Sequence, residues 1–237
     1  MRRLLTLAAL ASGAVLATGG AAPVSAAGST PVALGVQVVR ALPHDPDAFT
    51  QGLELDRGRL VEGTGLYGRS SVRRVERSTG RVLRQRRLAP TLFGEGLTVV
   101  GDRIVQLTWR ERVALVHDRA SLRRRGSFRL DGEGWGICFD GRRLVTSDGT
   151  PTLTFRDPAT FRPLRRVRVE VDGPQRVLAG LPPGPVERLN ELECVRGSVY
   201  ANVWQTDLIV RIDAATGRVT AVVDAGGLLR PDEAEAA

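Results

Sequence analysis

The 237-residue chain contains no lysine, two histidines and two cysteines. A zinc site is not expected, because the two cysteines have no histidine near them in the sequence. No Ser-His-Asp or Cys-His arrangement is indicated either. Apart from the N-terminal segment, the chain also lacks any long run with helical periodicity. The lack of a long helical pattern predicts an all-β domain.

The positive charge of the chain comes entirely from arginine. The net charge of +8 falls to +6 when Arg2 and Arg3 are left out. The other arginines are scattered over expected solvent-facing strands and hairpins, for example around Arg84 and Arg123. A nucleic-acid-binding module would need a basic stripe with interleaved aromatic residues. We therefore expect a solvated arginine-rich surface and no nucleic-acid partner.

The N-terminus resembles a secretory signal peptide. Two arginines precede an apolar run from Leu4 to Leu16, and small residues follow as far as Val24-Ser25-Ala26. The run is too short and too rich in Ala and Gly for a membrane span. We expect residues 1–26 to be a cleaved signal peptide, the protein to be secreted or periplasmic, and no stable membrane insertion. Residues 27–229 would form one domain, and the acidic residues 230–237 a disordered tail.

Four short phrases recur along the chain, separated by steps of 44, 40 and 56 residues. With Gln51, Glu95, Trp135 and Glu191 aligned, the phrases are Phe49-Thr-Gln51-Gly, Phe93-Gly-Glu95-Gly, Glu133-Gly-Trp135-Gly and Asn190-Glu191-Leu-Glu193. A period of about 40 to 50 residues with strand-like patterning is typical of a β-propeller. The one long step contains Asp172 to Glu187, which is rich in Pro and Gly and predicts an inserted loop.

A second motif recurs in the turn before the last strand of each repeat. An acidic residue is followed three positions later by Ser or Thr in all four of these turns, which begin at Glu76, Asp118, Asp157 and Asp213. The stretch Val32 to Leu42 predicts one further strand, which in propellers commonly completes the last blade. This strand implies a fifth blade.

The two cysteines, Cys138 and Cys194, both lie three residues after an aligned position of the repeat. Equivalent positions on neighbouring inner strands are expected to be farther apart than a disulfide allows. We therefore expect two buried thiols, with a disulfide as the alternative that export permits.

Antiparallel pairing brings the start of the first strand of a repeat close to the end of the second strand. This predicts that Glu95 lies near Trp109, and that Asn190 lies near Trp204. Trp135 would join the two other tryptophans at the same end of the channel. A carboxyl group among aromatic side chains has a raised pKa, which suits a general acid or base. The alternatives are that the tryptophans only pack the blades and that Glu191 and Glu193 are structural.

Several longer motifs together carry a family resemblance. They are Asp47-Ala-Phe49-Thr-Gln51-Gly-Leu, Gly65-Leu-Tyr-Gly, Phe93-Gly-Glu95-Gly-Leu-Thr, Leu107-Thr-Trp109, Glu133-Gly-Trp135-Gly, Ser147-Asp-Gly, Leu189-Asn190-Glu-Leu-Glu and Ala201-Asn-Val-Trp204. From about His44 to Asp224 the chain resembles the glutaminyl-peptide cyclotransferases of the plant and bacterial type. The resemblance implies a five-bladed β-propeller. Since only Asp224 to Ala237 remains after the fourth repeat, we expect the fifth blade to be incomplete at the C-terminus.

The resemblance also implies a reaction and a set of residues. The reaction converts the N-terminal glutamine of a peptide or protein to pyroglutamate with release of ammonia, without a metal or other cofactor. The catalytic residue would be Glu95, and the substrate pocket would contain Phe49, Gln51, Phe93, Trp109, Trp135, Asn190 and Trp204. We expect the protein to act as a monomer. The alternative functions are an inactive propeller that binds peptide N-termini, and a carbohydrate-binding or carbohydrate-cleaving propeller.

Overall fold

The computed structural model of the protein describes residues 30–172 and 180–228. The expected signal peptide and acidic tail lie outside these residues. The described chain contains β-strands and no helix, and so no helix in it is long and apolar enough to cross a membrane. The domain is all-β and propeller-like, with four blades of antiparallel strands.

Nineteen strands are present in the described chain. β1 is Val32–Leu34. Blade 1 consists of β2 Thr50–Asp56, β3 Arg59–Thr64, β4 Ser71–Val75 and β5 Val82–Arg87. Blade 2 consists of β6 Gly94–Val100, β7 Arg103–Thr108, β8 Val113–Asp118 and β9 Arg124–Arg129. Blade 3 consists of β10 Ile137–Phe139, β11 Leu144–Thr146, β12 Thr152–Arg156 and β13 Pro163–Arg168. The short strands β14 Glu170–Val171 and β15 Gly184–Pro185 follow. Blade 4 consists of β16 Leu189–Val195, β17 Ser198–Val203, β18 Leu208–Asp213 and β19 Val219–Asp224.

The recurring turn motif forms the hydrogen bonds that the sequence predicted. The Oδ1 atom of Asp157 accepts hydrogen bonds from the backbone N and Oγ1 of Thr160, at 2.7 and 2.9 Å. Asp213 and Thr216 repeat both bonds at 2.8 Å. The prediction of a turn closed by its acidic side chain is confirmed in blades 2, 3 and 4, whereas the Glu76 turn of blade 1 is closed by a backbone bond from Gly80 N to the Glu76 oxygen at 2.9 Å.

Apolar clusters join the blades in sequence. Val61 and Val72 of blade 1 pack with Leu97 and Ile104 of blade 2. Similar clusters join blade 2 to blade 3 and blade 3 to blade 4. Among the described residues, no such cluster joins blade 4 back to blade 1. Four blades are therefore present with three apolar interfaces between them.

Two expectations about the ends of the domain need correction. The stretch Val32 to Leu42 is a strand only in β1, which pairs in parallel with β19 as a fifth strand of blade 4. It does not build a fifth blade in the described chain. The segment Asp172 to Glu187 was predicted to be a loop, but its described part includes β15, which forms a two-stranded ladder with β14.

Some arginines are buried, which the composition did not indicate. Arg73 is 5% exposed, and its Nε donates to the Glu62 carboxylate at 2.6 Å. His44 also contacts Glu62, at 2.8 Å, and Asp45 pairs with Arg73 at 2.7 Å. This cluster fixes the segment that leads into β2. By contrast, Arg84 on the outer strand is exposed, as predicted.

Three glycines let the inner strands approach one another around the channel axis. A Cβ on Gly52 would lie 2.9 Å from the Cα of Gly96, and a Cβ on Gly96 would lie 2.9 Å from the Cα of Gly136. A Cβ on Gly136 would lie 2.7 Å from the Cα of Glu191. Glu191 is therefore the blade 4 counterpart of these glycines. Asn190 therefore corresponds to Gln51, Glu95 and Trp135. The sequence alignment had placed Glu191 at that position, so it was wrong by one residue.

The same shift explains a wrong prediction about the cysteines. Cys138 and Cys194 form a disulfide with a Cα–Cα distance of 5.5 Å. Cys138 lies one residue after Ile137, whereas Cys194 lies two residues after Leu192, and Ile137 and Leu192 hold matching ladder positions. The cysteines are thus staggered by one residue rather than equivalent, and the stagger accompanies a distance that a disulfide can span. The bond joins the inner strands of blades 3 and 4.

Candidate active site

The inner strands of blades 1, 2 and 4 each carry a β-bulge near their start. The register shifts span Gln51 in blade 1, Glu95 and Gly96 in blade 2, and Asn190 and Glu191 in blade 4. A bulge interrupts the alternation of side chains and re-aims the extra residue, and bulges are common beside active sites. Each of the three polar residues of the predicted site therefore stands on a local irregularity of its strand.

Glu95 is a buried carboxyl group with one hydrogen-bond donor. It is 5% exposed, and Nε2 of Gln51 donates to its Oε2 at 2.5 Å. Burial raises the pKa of Glu95 well above 4.5, the Gln51 bond lowers it, and the nearby carboxylates Glu111 and Glu133 raise it further. The Oε1 atom of Gln51 is buried and has no hydrogen-bond partner in the described chain. This pair therefore presents a protonatable group and a free acceptor side by side.

Aromatic rings line one side of this pair. The rings of Phe49 and Phe93 meet edge to face at 6.1 Å, and Phe93 meets Trp109 at 5.5 Å. Tyr67, which the sequence did not single out as a site residue, contacts Phe93 at 5.4 Å. A Cβ on Gly65 would lie 2.6 Å from the Phe93 ring and 3.0 Å from Cγ of Gln51, so only glycine fits between them.

A second aromatic group continues the wall across blades 3 and 4. Trp135 and Trp204 meet edge to face at 5.4 Å. Asn190 is 5% exposed, and Oγ of Ser147 donates to its backbone oxygen at 2.7 Å. The structure thus places Phe49, Phe93 and Trp109 in one aromatic network and Trp135 with Trp204 in another, and it joins Gln51 to Glu95 by a hydrogen bond.

Glu133 connects the two networks, and sequence reasoning did not identify it as a site residue. Its Oε2 accepts the indole N–H of Trp109 at 2.8 Å and that of Trp135 at 3.0 Å. Glu133 occupies the position in its phrase that Phe49 and Phe93 hold in theirs. A carboxylate at an otherwise aromatic position of the repeat was the signal that could have identified it.

Glu191 is a second buried carboxyl group, directly on the channel axis. It is 7% exposed, and its Oε2 lies 2.2 Å from the position that a Cβ on Gly96 would occupy. Burial raises the pKa of Glu191 well above 4.5, and the charges of Glu193 and Glu95 raise it further. Its Oε2 has no hydrogen-bond partner in the described chain. Glu191 therefore fills the space left by the three glycines of the other blades.

A cavity of about 180 Å³ lies beside the aromatic wall rather than over Glu95. Phe49 and Gly65 belong both to the cavity lining and to the wall, and Asp45, Arg69 and Arg87 are among the other lining residues. Within residues 30–172 and 180–228, no group of three or more His, Cys, Asp or Glu side chains is arranged to hold a metal ion. The chemistry available at the site is that of carboxyl, amide and indole groups.

Comparison with known proteins identifies the family. The family model described as glutamine cyclotransferase matches residues 7–237. The chain belongs to the glutamine cyclotransferase family. It is 41% identical over 184 residues to the glutaminyl-peptide cyclotransferase of Arabidopsis thaliana, which covers 77% of this chain. The chain spans about half the length of this curated relative, 54%.

A solved structure agrees with this family assignment. The crystal structure of Myxococcus xanthus glutaminyl cyclase matches with a TM-score of 0.72 and 35% identity. The match covers 85% of this chain and 84% of that one. The predicted resemblance to glutaminyl-peptide cyclotransferases is confirmed. The fold is confirmed as an all-β, propeller-like array, and a fifth blade is not part of the described chain.

Proposed function

We propose that this protein is a secreted glutaminyl-peptide cyclotransferase in which Glu95 is the general acid and base. The observation that carries the proposal is the buried Glu95 carboxyl, held by Gln51 next to an aromatic wall in a member of this family. Peptides and proteins with an N-terminal glutamine are the proposed substrates. We also propose that residues 1–26 direct export, which N-terminal sequencing of the exported protein would test.

The reaction needs only one proton shuttle. The α-amine of the substrate attacks its own γ-amide carbon, forming the ring C–N bond, and the bond to the departing nitrogen then breaks. Glu95 takes the proton from the attacking amine and gives it to the leaving nitrogen, which departs as ammonia, so the carboxyl group ends in its initial state. A raised pKa matches this dual role, because the group must both accept and release a proton near neutral pH. The scheme requires no metal.

We assign different roles in the reaction to the side-chain amides of Gln51 and Asn190. The Nε2 atom of Gln51 is occupied by Glu95, so its free Oε1 is left to accept an N–H of the substrate glutamine. We assign stabilisation of the tetrahedral oxyanion to Asn190, which lies on the bulge of blade 4. The rings of Phe93, Trp109 and Trp135 would enclose the glutamine side chain and exclude water, which competes as the nucleophile.

The test uses a short peptide that begins with glutamine. We expect release of ammonia and a product lighter by the mass of one ammonia. Glu95→Gln should reduce kcat by about 100- to 10,000-fold, the usual contribution of general acid–base catalysis. The exposed Glu187→Gln should leave kcat unchanged. Binding of the peptide without turnover would refute the enzymatic proposal and favour the peptide-binding alternative.

A further inference from the structure

Two carboxylates outside the predicted set each join two residues of the aromatic wall. Glu133 accepts the indole N–H groups of Trp109 and Trp135 at a single oxygen. Glu111 accepts the Tyr67 hydroxyl at 2.8 Å and the backbone N of Phe93 at 3.3 Å. Charge-assisted hydrogen bonds of this kind are stronger than neutral ones, so each carboxylate fixes two wall residues at once.

These contacts cross the boundaries between blades. Tyr67 follows β3 in blade 1, whereas Glu111 lies between β7 and β8 in blade 2. Trp109 follows β7, and Trp135 lies two residues before β10 in blade 3. The bonds of Glu111 and Glu133 therefore hold the wall together where three separate sheets meet, at a place where loops alone would not fix a ring orientation.

Arg110 completes the arrangement on the outer side. Its guanidinium group lies 3.7 Å from the centre of the Trp109 ring, and its Nε is 3.5 Å from Oε1 of Glu133. The cation stacks on one face of the ring, while the Glu133 bond fixes the ring edge. Trp109 is thereby restrained in two directions, and its ring also meets that of Phe93 at 5.5 Å.

The same carboxylates act on the charge of Glu95. Both Glu111 and Glu133 raise the pKa of Glu95 by like-charge repulsion. The other ionisable groups coupled to this region are Glu191, whose own pKa is raised, and Tyr67. Arg110 is the opposing charge, and its Nε lies 3.5 Å from Oε1 of Glu133, whereas both indole bonds are made at Oε2. Removing one carboxylate charge should therefore make Glu95 a stronger acid.

We propose that Glu111 and Glu133 are positioning residues that fix the aromatic wall of the glutamine pocket across three blades and keep negative charge beside the catalytic carboxyl group. This inference rests on the proposed function for its kinetic part. Its structural part, the two indole bonds of Glu133, is independent of activity.

Glu133→Ala and Glu133→Gln separate the hydrogen bonds from the charge. Glu133→Ala should raise KM by about tenfold or more, because small misplacements of binding groups can reduce rates about 100-fold. It should also shift tryptophan emission to longer wavelength and increase quenching by acrylamide, since two of the three tryptophans lose their bond. Glu133→Gln keeps an acceptor oxygen but no charge, so we expect partial rescue of KM and emission. In both variants the acidic midpoint of the kcat/KM profile should move to lower pH.

Tyr67→Phe is the matched control for Glu111. It removes the hydroxyl bond but leaves the carboxylate charge, so KM should rise while the acidic midpoint stays fixed. Glu111→Gln should move the midpoint down. The exposed Glu187→Gln should change neither quantity.

The outcomes that overturn the inference are distinct from failure of the proposed function. Unchanged KM, emission and acidic midpoint in Glu133→Ala would refute it, as would a loss of urea stability alone. If the wild-type protein does not cyclise glutamine peptides, the proposed function fails, and the emission and quenching of Glu133→Ala still decide whether the carboxylate fixes the two indoles.

Discussion

Reducing the bond between Cys138 and Cys194 should lower the free energy of unfolding by about 4 kcal/mol. The bond closes a loop with a sequence separation of 56 residues. The chain-entropy relation for a loop of this length gives about 4 kcal/mol at 25 °C, arising from the restriction of the unfolded chain. Because whole domains are stable by only about 5 to 15 kcal/mol, this bond would supply a large share of the total.

Urea unfolding with and without a reductant measures the effect. Tryptophan emission is a suitable signal, since all three tryptophans lie at the wall. With a denaturant slope of about 2 kcal/mol per molar urea, the midpoint should fall by roughly 2 M on reduction. The double variant Cys138→Ala/Cys194→Ala should unfold, without reductant, at the reduced midpoint or below it, because Cys138 is buried and its truncation also leaves a small cavity.

Two results would refute this reasoning. If a thiol reagent labels both cysteines in protein that was unfolded without reductant, the bond is absent and the original expectation of two thiols holds. If the bond is present but its reduction leaves the urea midpoint unchanged, the loop-closure argument is wrong for this fold. In that case blades 3 and 4 are held together by the apolar cluster alone.

Three further predictions concern buried groups. Because the pKa of Glu191 is raised in the folded state, the unfolded chain loses this proton first as pH rises above about 4.5, and the contribution of Glu191 to stability falls; the urea midpoint of wild type relative to Glu191→Gln should therefore decrease upward from pH 4.5. Gly136→Ala would place a Cβ 2.1 Å from the Asn190 carbonyl oxygen, so it should cost about 1 to 3 kcal/mol of unfolding free energy, whereas Gly126→Ala in open space should not. Burial lowers the pKa of His117 to about 4, so the contribution of this group to the free energy of unfolding should fall by about 3 kcal/mol as pH drops from 6.5 to 4; thermal melts of wild type and His117→Leu at both pH values should differ by this change.

The repeat and its turns could be predicted from the sequence because they depend on local chemistry. The Asp157 turn is closed by a residue three positions away, and such contacts are visible in the letters of the chain. The inner-strand phrases were also found. The register of the blade 4 phrase was predicted wrongly by one residue, because the alignment paired Glu191 with Glu95 on the basis of their shared carboxyl group. Only the close approach of Gly136 to the Glu191 Cα shows which positions correspond.

The parts that sequence reasoning missed are contacts between distant residues. Tyr67 and Glu111 are 44 residues apart in the chain, and Glu133 and Trp109 are 24 apart. No local pattern specifies that a carboxylate in one loop will receive a donor from another blade. The bulges at Gln51 and Glu95 were missed for a related reason, since plain alternation of a strand contains no sign of the extra residue.

The two buried carboxyl groups are coupled electrostatically. The charge of Glu95 raises the pKa of Glu191, so ionisation of Glu191 is disfavoured once Glu95 is charged. Glu95 receives the Gln51 N–H at its Oε2, while Glu111 and Glu133 oppose its ionisation. Glu191 receives the backbone N–H groups of Leu192 and Ile137, while Glu193 opposes its ionisation and its Oε2 has no donor in the described chain. A neutral Glu191 on the axis then leaves Glu95 free to exchange a proton with the substrate, which is the behaviour that the proposed shuttle requires.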